Sequence, residues 1–208
     1  MLGLPSSTQI RRVISRKMVF DHFGAELSAE RRKKIEAEIA RMTLVNEVSP
    51  LSVNLAEGEA VKNFFVLDVA LKTRDFDAQN IACVARLFGQ RLVLVLEAEG
   101  QARLAVWQGR LILGPWAEPS SLTLPLRGLN LDKVWENIVA QLANVRVGEG
   151  QTLDEALERA ARREKLQREI ARLEKRARAE RQPKKKFELA NEIKNLREAL
   201  EALNGGWT

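Results

Sequence analysis

Asp68 and Lys72 are the residues whose types and spacing come nearest to a hydrolytic site. They lie on the run from Phe64 to Lys72, rich in aromatic and branched residues, which reads as a strand. Alternation sends Phe65, Leu67, Val69 and Leu71 to one face and Val66, Asp68, Ala70 and Lys72 to the other. A carboxylate and a lysine on one face are groups with which a metal-dependent nuclease holds a divalent ion and positions water and phosphate. The spacing argues against a single centre. Four residues of extended chain separate the two by about 13 Å. Glu47, Glu57 and Glu59 are further carboxylates, but nothing in their spacing ties them to this strand. Magnesium is implied only if this site is active; otherwise no cofactor is expected.

A denser chemical signal lies near the C-terminus. From Arg172 to Lys186 there are eight cations against two anions, Glu174 and Glu180. Arg178, Arg181, Lys184, Lys185 and Lys186 are the candidate contacts to nucleic acid or an acidic partner, because clustered cations suit phosphates without reading base sequence. Stacking is not favoured: Phe187 is the one aromatic residue near this cluster, and a single-strand platform calls for several rings.

The elements that must position this cluster are legible in its flanks. Leu166, Ile170, Leu173 and Ala177 precede Pro183, and Leu189, Ile193, Leu196, Leu200 and Leu203 follow it, stepping by four and three. Reversal at Pro183 pairs Leu173 with Ile193, Ile170 with Leu196, Leu166 with Leu200 and Ala177 with Leu189. The pattern predicts an antiparallel helical hairpin with arms Arg163–Gln182 and Lys184–Leu203 and the cations at its turn. Thr152 and Glu155 stand at capping-box spacing just after Gly148 and Gly150, so the helical unit has its own start signal.

Charge follows the same division. The 208 residues carry a formal net charge of +6; residues 9–34 hold eight Lys or Arg against three acids, residues 35–150 eleven against fourteen, and residues 151–203 fifteen against eleven. Basic ends around a slightly acidic middle point to nucleic acid or an acidic protein surface. Cys83 and His22 are the single cysteine and histidine. They exclude an intrachain disulfide and a zinc site made from Cys and His alone. No apolar run reaches the roughly twenty residues of a membrane span, and the start lacks a signal-peptide stretch, so a soluble cytoplasmic protein is expected. There is no Gly-x-x-x-x-Gly-Lys loop, Gly-x-Gly-x-x-Gly turn or Gly-x-Ser-x-Gly elbow.

In the first 146 residues, Pro5–Thr8 suggests a helical turn and Met18–Phe20 a short strand. Ser28 caps a helix to about Arg41, with Ile35, Ile39 and Met42 on one stripe. Arg31, Arg32, Lys33 and Lys34 near its start oppose the helix dipole and call for a partner or nearby acids. Thr43–Val48 and Asn63–Lys72 read as strands. Asp75 or Asp77 caps a helix to about Phe88 that buries Ile81, Val84 or Ala85, and Leu87 or Phe88. Arg91–Leu96, Ala102–Trp107 and Leu111–Leu113 form a meander with turns at Glu99-Gly100 and Gln108-Gly109. Leu122–Leu126 reads as a further strand, and Asn130 caps a helix burying Leu131, Val134, Trp135, Ile138, Val139 and Leu142.

The stretches GLPSST (3–8), LVNEVSP (44–50), FFVLDVALKTRDFDAQNI (64–81), GLNLDKVWENIV (128–139) and RAERQPKKKFEL (178–189) together resemble a prokaryotic family known as a domain of unknown function. That resemblance implies a setting beside helicase and DNA-methyltransferase genes of restriction-like or phage-defence loci, and hence DNA, a helicase or a methyltransferase as partner. It implies no catalytic residues. The Asp68–Lys72 strand and the order helix, strands, helix, strand also resemble restriction-endonuclease-like nucleases, whose Glu-x-Lys pattern is broken here at Ala70.

The expected fold is α/β (α+β): a mixed sheet with flanking helices over residues 1–146, a Gly-containing linker at 147–151, the basic hairpin at 152–203 and a tail at 204–208. The expected function is a nonenzymatic accessory or adaptor subunit. The alternatives are a metal-dependent nuclease and a structural protein-docking adaptor.

Overall fold

The computed structural model describes residues 2–22 and 27–204, in two compact units, Met1–Asn144 and Val145–Thr208. The tail 205–208, with Trp207, and the side chains of His22 and Leu87 lie outside that description.

The first unit is built on a six-stranded sheet whose spatial order is its sequence order. A short turn at Ser6–Thr8 leads into β1 (Gln9–Ile14), followed by α1 (Arg16–His22), α2 (Ala29–Glu38), β2 (Ile39–Val48), α3 (Pro50–Val53) and β3 (Phe64–Leu71). Then come α4 (Ala78–Leu87), β4 (Arg91–Ala98), β5 (Gln101–Gln108), β6 (Arg110–Leu113) and α5 (Leu131–Ala143). Every neighbouring pair is antiparallel except β3 and β4. A parallel pair needs a long crossover, and α4 supplies it. The mixed sheet with flanking helices is therefore the expected α/β (α+β) class.

Local signals account for most of these boundaries. The Ser28 and Asp77 side chains accept from the N–H groups of Arg31 and Gln79 at the starts of α2 and α4, and Asn130 does the same for α5 through Lys133. Glu99-Gly100 and Gly109 take the positive φ that the tight turns between β4, β5 and β6 demand. The basic start of α2 is met by acids: Arg31 Nη1 lies 2.6 Å from Asp77 Oδ2, and Lys34 Nζ lies 3.1 Å from Glu30.

Four expectations are corrected. β1 was not expected. Met18–Phe20 is helical, because Ser15 Oγ accepts from the Met18 N–H at 3.2 Å and α1 buries Val19 completely. The α2 helix stops at Glu38 rather than near Arg41, so Ile39 and Met42 belong to β2. Pairing of eight β2 residues with β3 outweighs a helical stripe there. Leu122–Leu126 is not a strand; a short turn at Pro119–Ser121 precedes it, and the Leu124 N–H donates to the Leu2 carbonyl at 3.0 Å.

Alternation along β3 sorts its two faces. Leu67, Val69 and Leu71 join Ile35, Ile81 and Val84 in one core. On the other face Phe64 packs against Trp135 of α5, with ring centroids 5.7 Å apart. The loop entering β3 is tied to α5 by Asp132, whose carboxylate accepts from the N–H groups of Glu59 (2.7 Å), Ala60 (3.2 Å) and Val61 (2.7 Å). Gly58 is obligatory beside it. A Cβ there would stand 2.8 Å from the Asp132 backbone nitrogen.

The second unit is a helical hairpin of α6 (Leu153–Ala179) and α7 (Pro183–Asn204). Thr152 and Glu155 close the capping box: the Glu155 N–H donates to Thr152 Oγ1 at 3.2 Å and the Thr152 N–H to Glu155 Oε2 at 2.8 Å. Ile170, Leu173 and Ile193 are buried together, with Ala177, Leu189, Leu196 and Leu200 against them. These are seven of the nine residues of the mirrored stripes. The first arm runs unbroken from Leu153, ten residues before Arg163, and the turn occupies Glu180–Gln182.

Candidate nucleic-acid interface

The hairpin turn gathers the candidate cations. Arg178 lies in the last turn of α6, Arg181 in the connection, and Lys184, Lys185 and Lys186 in the first turn of α7; all five side chains are exposed. Among the described residues none of them has an ion-pair partner within 4.0 Å. Glu174 is engaged across the hairpin, and Glu180 within the turn itself. Glu174 pairs with Arg197 of α7 at 2.7 Å, and Glu180 accepts from the Gln182 N–H at 2.8 Å. That backbone hydrogen bond, aided by the Arg181 N–H and the charges of Lys185 and Arg176, holds the Glu180 carboxyl below its ordinary range. The turn therefore carries positive charge that the chain itself leaves largely uncompensated.

Asp68 and Lys72 are not brought together. The Lys72 Nζ donates to the Glu36 carbonyl of α2 at 2.9 Å, and its backbone N–H donates to the Glu38 carbonyl at 2.8 Å. Asp68, paired with Thr43 in the sheet register, lines an open groove of about 640 Å³ together with Arg11, Arg41, Thr43 and Asn46. Its Oδ2 lies 3.9 Å from Arg41 Nη2, and its Oδ1 is buried without a hydrogen-bond partner. Burial, reinforced by the charge of Glu97 and partly opposed by Arg41, pushes the Asp68 carboxyl up to about 6. Such a group can exchange a proton near neutrality. Glu97 of β4 is the carboxylate whose charge reaches Asp68; of the others, Glu47 accepts from Asn63 Nδ2 at 3.2 Å and Glu57 pairs with Lys62. Among the described residues no three His, Cys, Asp or Glu side chains group as a metal would require. The residues present do not fit a magnesium-dependent centre.

The family model described as a domain of unknown function (DUF4391) matches residues 2–200. The chain belongs to that family. No curated protein and no solved structure matches it significantly. The DUF4391 match extends over both compact units and includes the turn between α6 and α7. No helix among the described residues is long and apolar enough to cross a membrane.

Sequence reasoning missed Arg41 as a neighbour of Asp68 and Arg11 as a wall of the same groove. Arg41 was placed at the end of a helix and Arg11 outside any element, whereas both lie on strands. No local signal links residues on different strands; register creates the cluster.

Proposed function

We propose that this DUF4391 chain is a nonenzymatic accessory subunit of a prokaryotic DNA-processing or phage-defence complex, and that it engages nucleic acid through the turn between α6 and α7. The observation that carries this reading is the set of five exposed cations gathered at one turn, which outnumber Glu174 and Glu180 beside them. Phosphate contacts of this kind give salt-dependent affinity with little sequence preference. DNA is the favoured nucleic acid, and a helicase or DNA methyltransferase the favoured protein partner, through the resemblance that places such chains beside those genes. The separation of Asp68 from Lys72 supports an accessory role over a nuclease.

The test is binding to unrelated duplexes over a salt series, for the wild-type protein and for a variant with Lys184→Glu, Lys185→Glu and Lys186→Glu. The variant is expected to bind more weakly to every sequence, with a log-log salt slope smaller by about 3 if all three lysines touch phosphates. Unchanged nucleic-acid affinity with loss of a helicase or methyltransferase in pull-down would move the assignment to a protein-docking adaptor.

A further inference from the structure

Phe187 is 67% exposed, and it is absent from the hydrophobic cluster that joins the two arms. An exposed aromatic ring is unremarked on many surfaces; this one has a specific setting. The seam side of α7 is marked by Leu189, Ile193, Leu196 and Leu200. At about 100° per residue, Phe187 lies roughly 150° round the helix from the centre of that seam. Lys184 occupies the same outer face. The two are i, i+3 neighbours, a spacing of about 5–6 Å between Cβ atoms. The ring thus stands on the solvent side of the hairpin, next to a cation and within the basic cluster of Arg181, Lys185 and Lys186.

We propose that Phe187 is a base-stacking residue and that the nucleic acid taken by the turn is unpaired, a single strand or a frayed end. This rests on the reading of the turn as a phosphate-binding surface and adds the state of the strand. The charge requires a polyanion, which disfavours an apolar protein groove as the occupant. A duplex presents phosphates to the lysines but keeps the faces of its bases inside the stack. A single strand offers both: a base face to the ring and a phosphate to Lys184. One ring does not make the several-ring platform that the sequence disfavours, but it can take a single base, and stacking on an aromatic side chain is worth about 1–3 kcal/mol per base and tolerates any base.

The experiment compares the full chain with Phe187→Ala, Phe187→Trp and the triple lysine-to-glutamate variant, using fluorescence anisotropy on one labelled oligonucleotide as a single strand and as a blunt duplex. Circular dichroism verifies that each variant is folded. Phe187→Ala is expected to weaken single-strand binding roughly 5- to 150-fold, the equivalent of the stacking energy, while duplex affinity changes less than about twofold. Phe187→Trp is expected to restore single-strand binding. Unchanged single-strand affinity in Phe187→Ala, or equal losses on both forms, would overturn the stacking proposal. If the triple variant still loses binding in that case, the phosphate-binding reading survives it. Full affinity in the triple variant would overturn both.

Discussion

Arg197 of α7 reaches across the hairpin to Glu174 of α6, with Nη2 2.7 Å from Oε1. The pair ties the arms together and occupies one of the two carboxylates nearest the basic turn. Both side chains keep substantial solvent contact, which limits such a pair to about 1 kcal/mol or less. Arg197→Ala should therefore lower hairpin stability only slightly in urea unfolding. Its nucleic-acid affinity at low salt should fall modestly, because Glu174 is released beside Arg178; a rise in affinity would contradict this account.

Leu173 is 1% exposed and Ile193 is 9% exposed, within one cluster. Leu173→Cys with Ile193→Cys, in a Cys83→Ser background, should form an intramolecular crosslink on mild oxidation, subject to disulfide geometry. Non-reducing electrophoresis reads the result, and covalent dimers alone would indicate pairing between chains. Leu173→Ala should destabilise the hairpin by about 2–5 kcal/mol.

The Asp68 carboxyl titrates near 6 in the folded chain, against 3.8 for an unperturbed aspartate. Between those values the folded state holds the extra proton, so stability is greatest below about pH 4 with respect to this group. It falls as pH rises to 6 and stays reduced above. The full effect is at most about 3 kcal/mol. Asp68→Asn should remove this dependence, making the variant relatively more stable at pH 7 to 8 than the wild type. Denaturation midpoints of both proteins across pH 5 to 8 would reveal it, and parallel curves would refute it.

Asp132 accepts from three consecutive backbone N–H groups, those of Glu59, Ala60 and Val61. Asp132→Ala leaves these donors unmatched and should cost about 1–3 kcal/mol. Gly58→Ala should cost at least as much, since its Cβ collides with the Asp132 backbone. Faster hydrogen exchange at residues 59–61 in Asp132→Ala would locate the loss in the loop.

With Lys72 bound to the Glu36 carbonyl and Asp68 beside Arg41, the purified chain with magnesium or manganese should leave DNA and RNA intact. Cleavage that disappears with both Asp68→Ala and Lys72→Ala would reverse that expectation.

What could be read from the amino-acid order alone was whatever short-range physics decides. Ser28, Asp77, Asn130 and Thr152 mark helix starts because a capping side chain bonds backbone two or three residues away. The hairpin was legible because its arms are adjacent in sequence and their stripes mirror each other about Pro183. The same reasoning put Asp68 and Ala70 on the face of β3 opposite Leu67 and Val69. It failed where distant segments compete. Met18–Phe20 has the composition of a strand but folds as helix over a buried Val19, and Ile39 continues a helical stripe but pairs with Leu71. Lys72 shares a face with Asp68 on an ideal strand, yet β3 ends at Leu71 and the lysine turns to α2. For Ile39 and Lys72 only the packed fold decided the outcome, because the pairing with Leu71 and the bond to Glu36 join residues about 30 or more positions apart, beyond the reach of any local periodicity; the Met18 turn rests also on the nearby Ser15 hydroxyl.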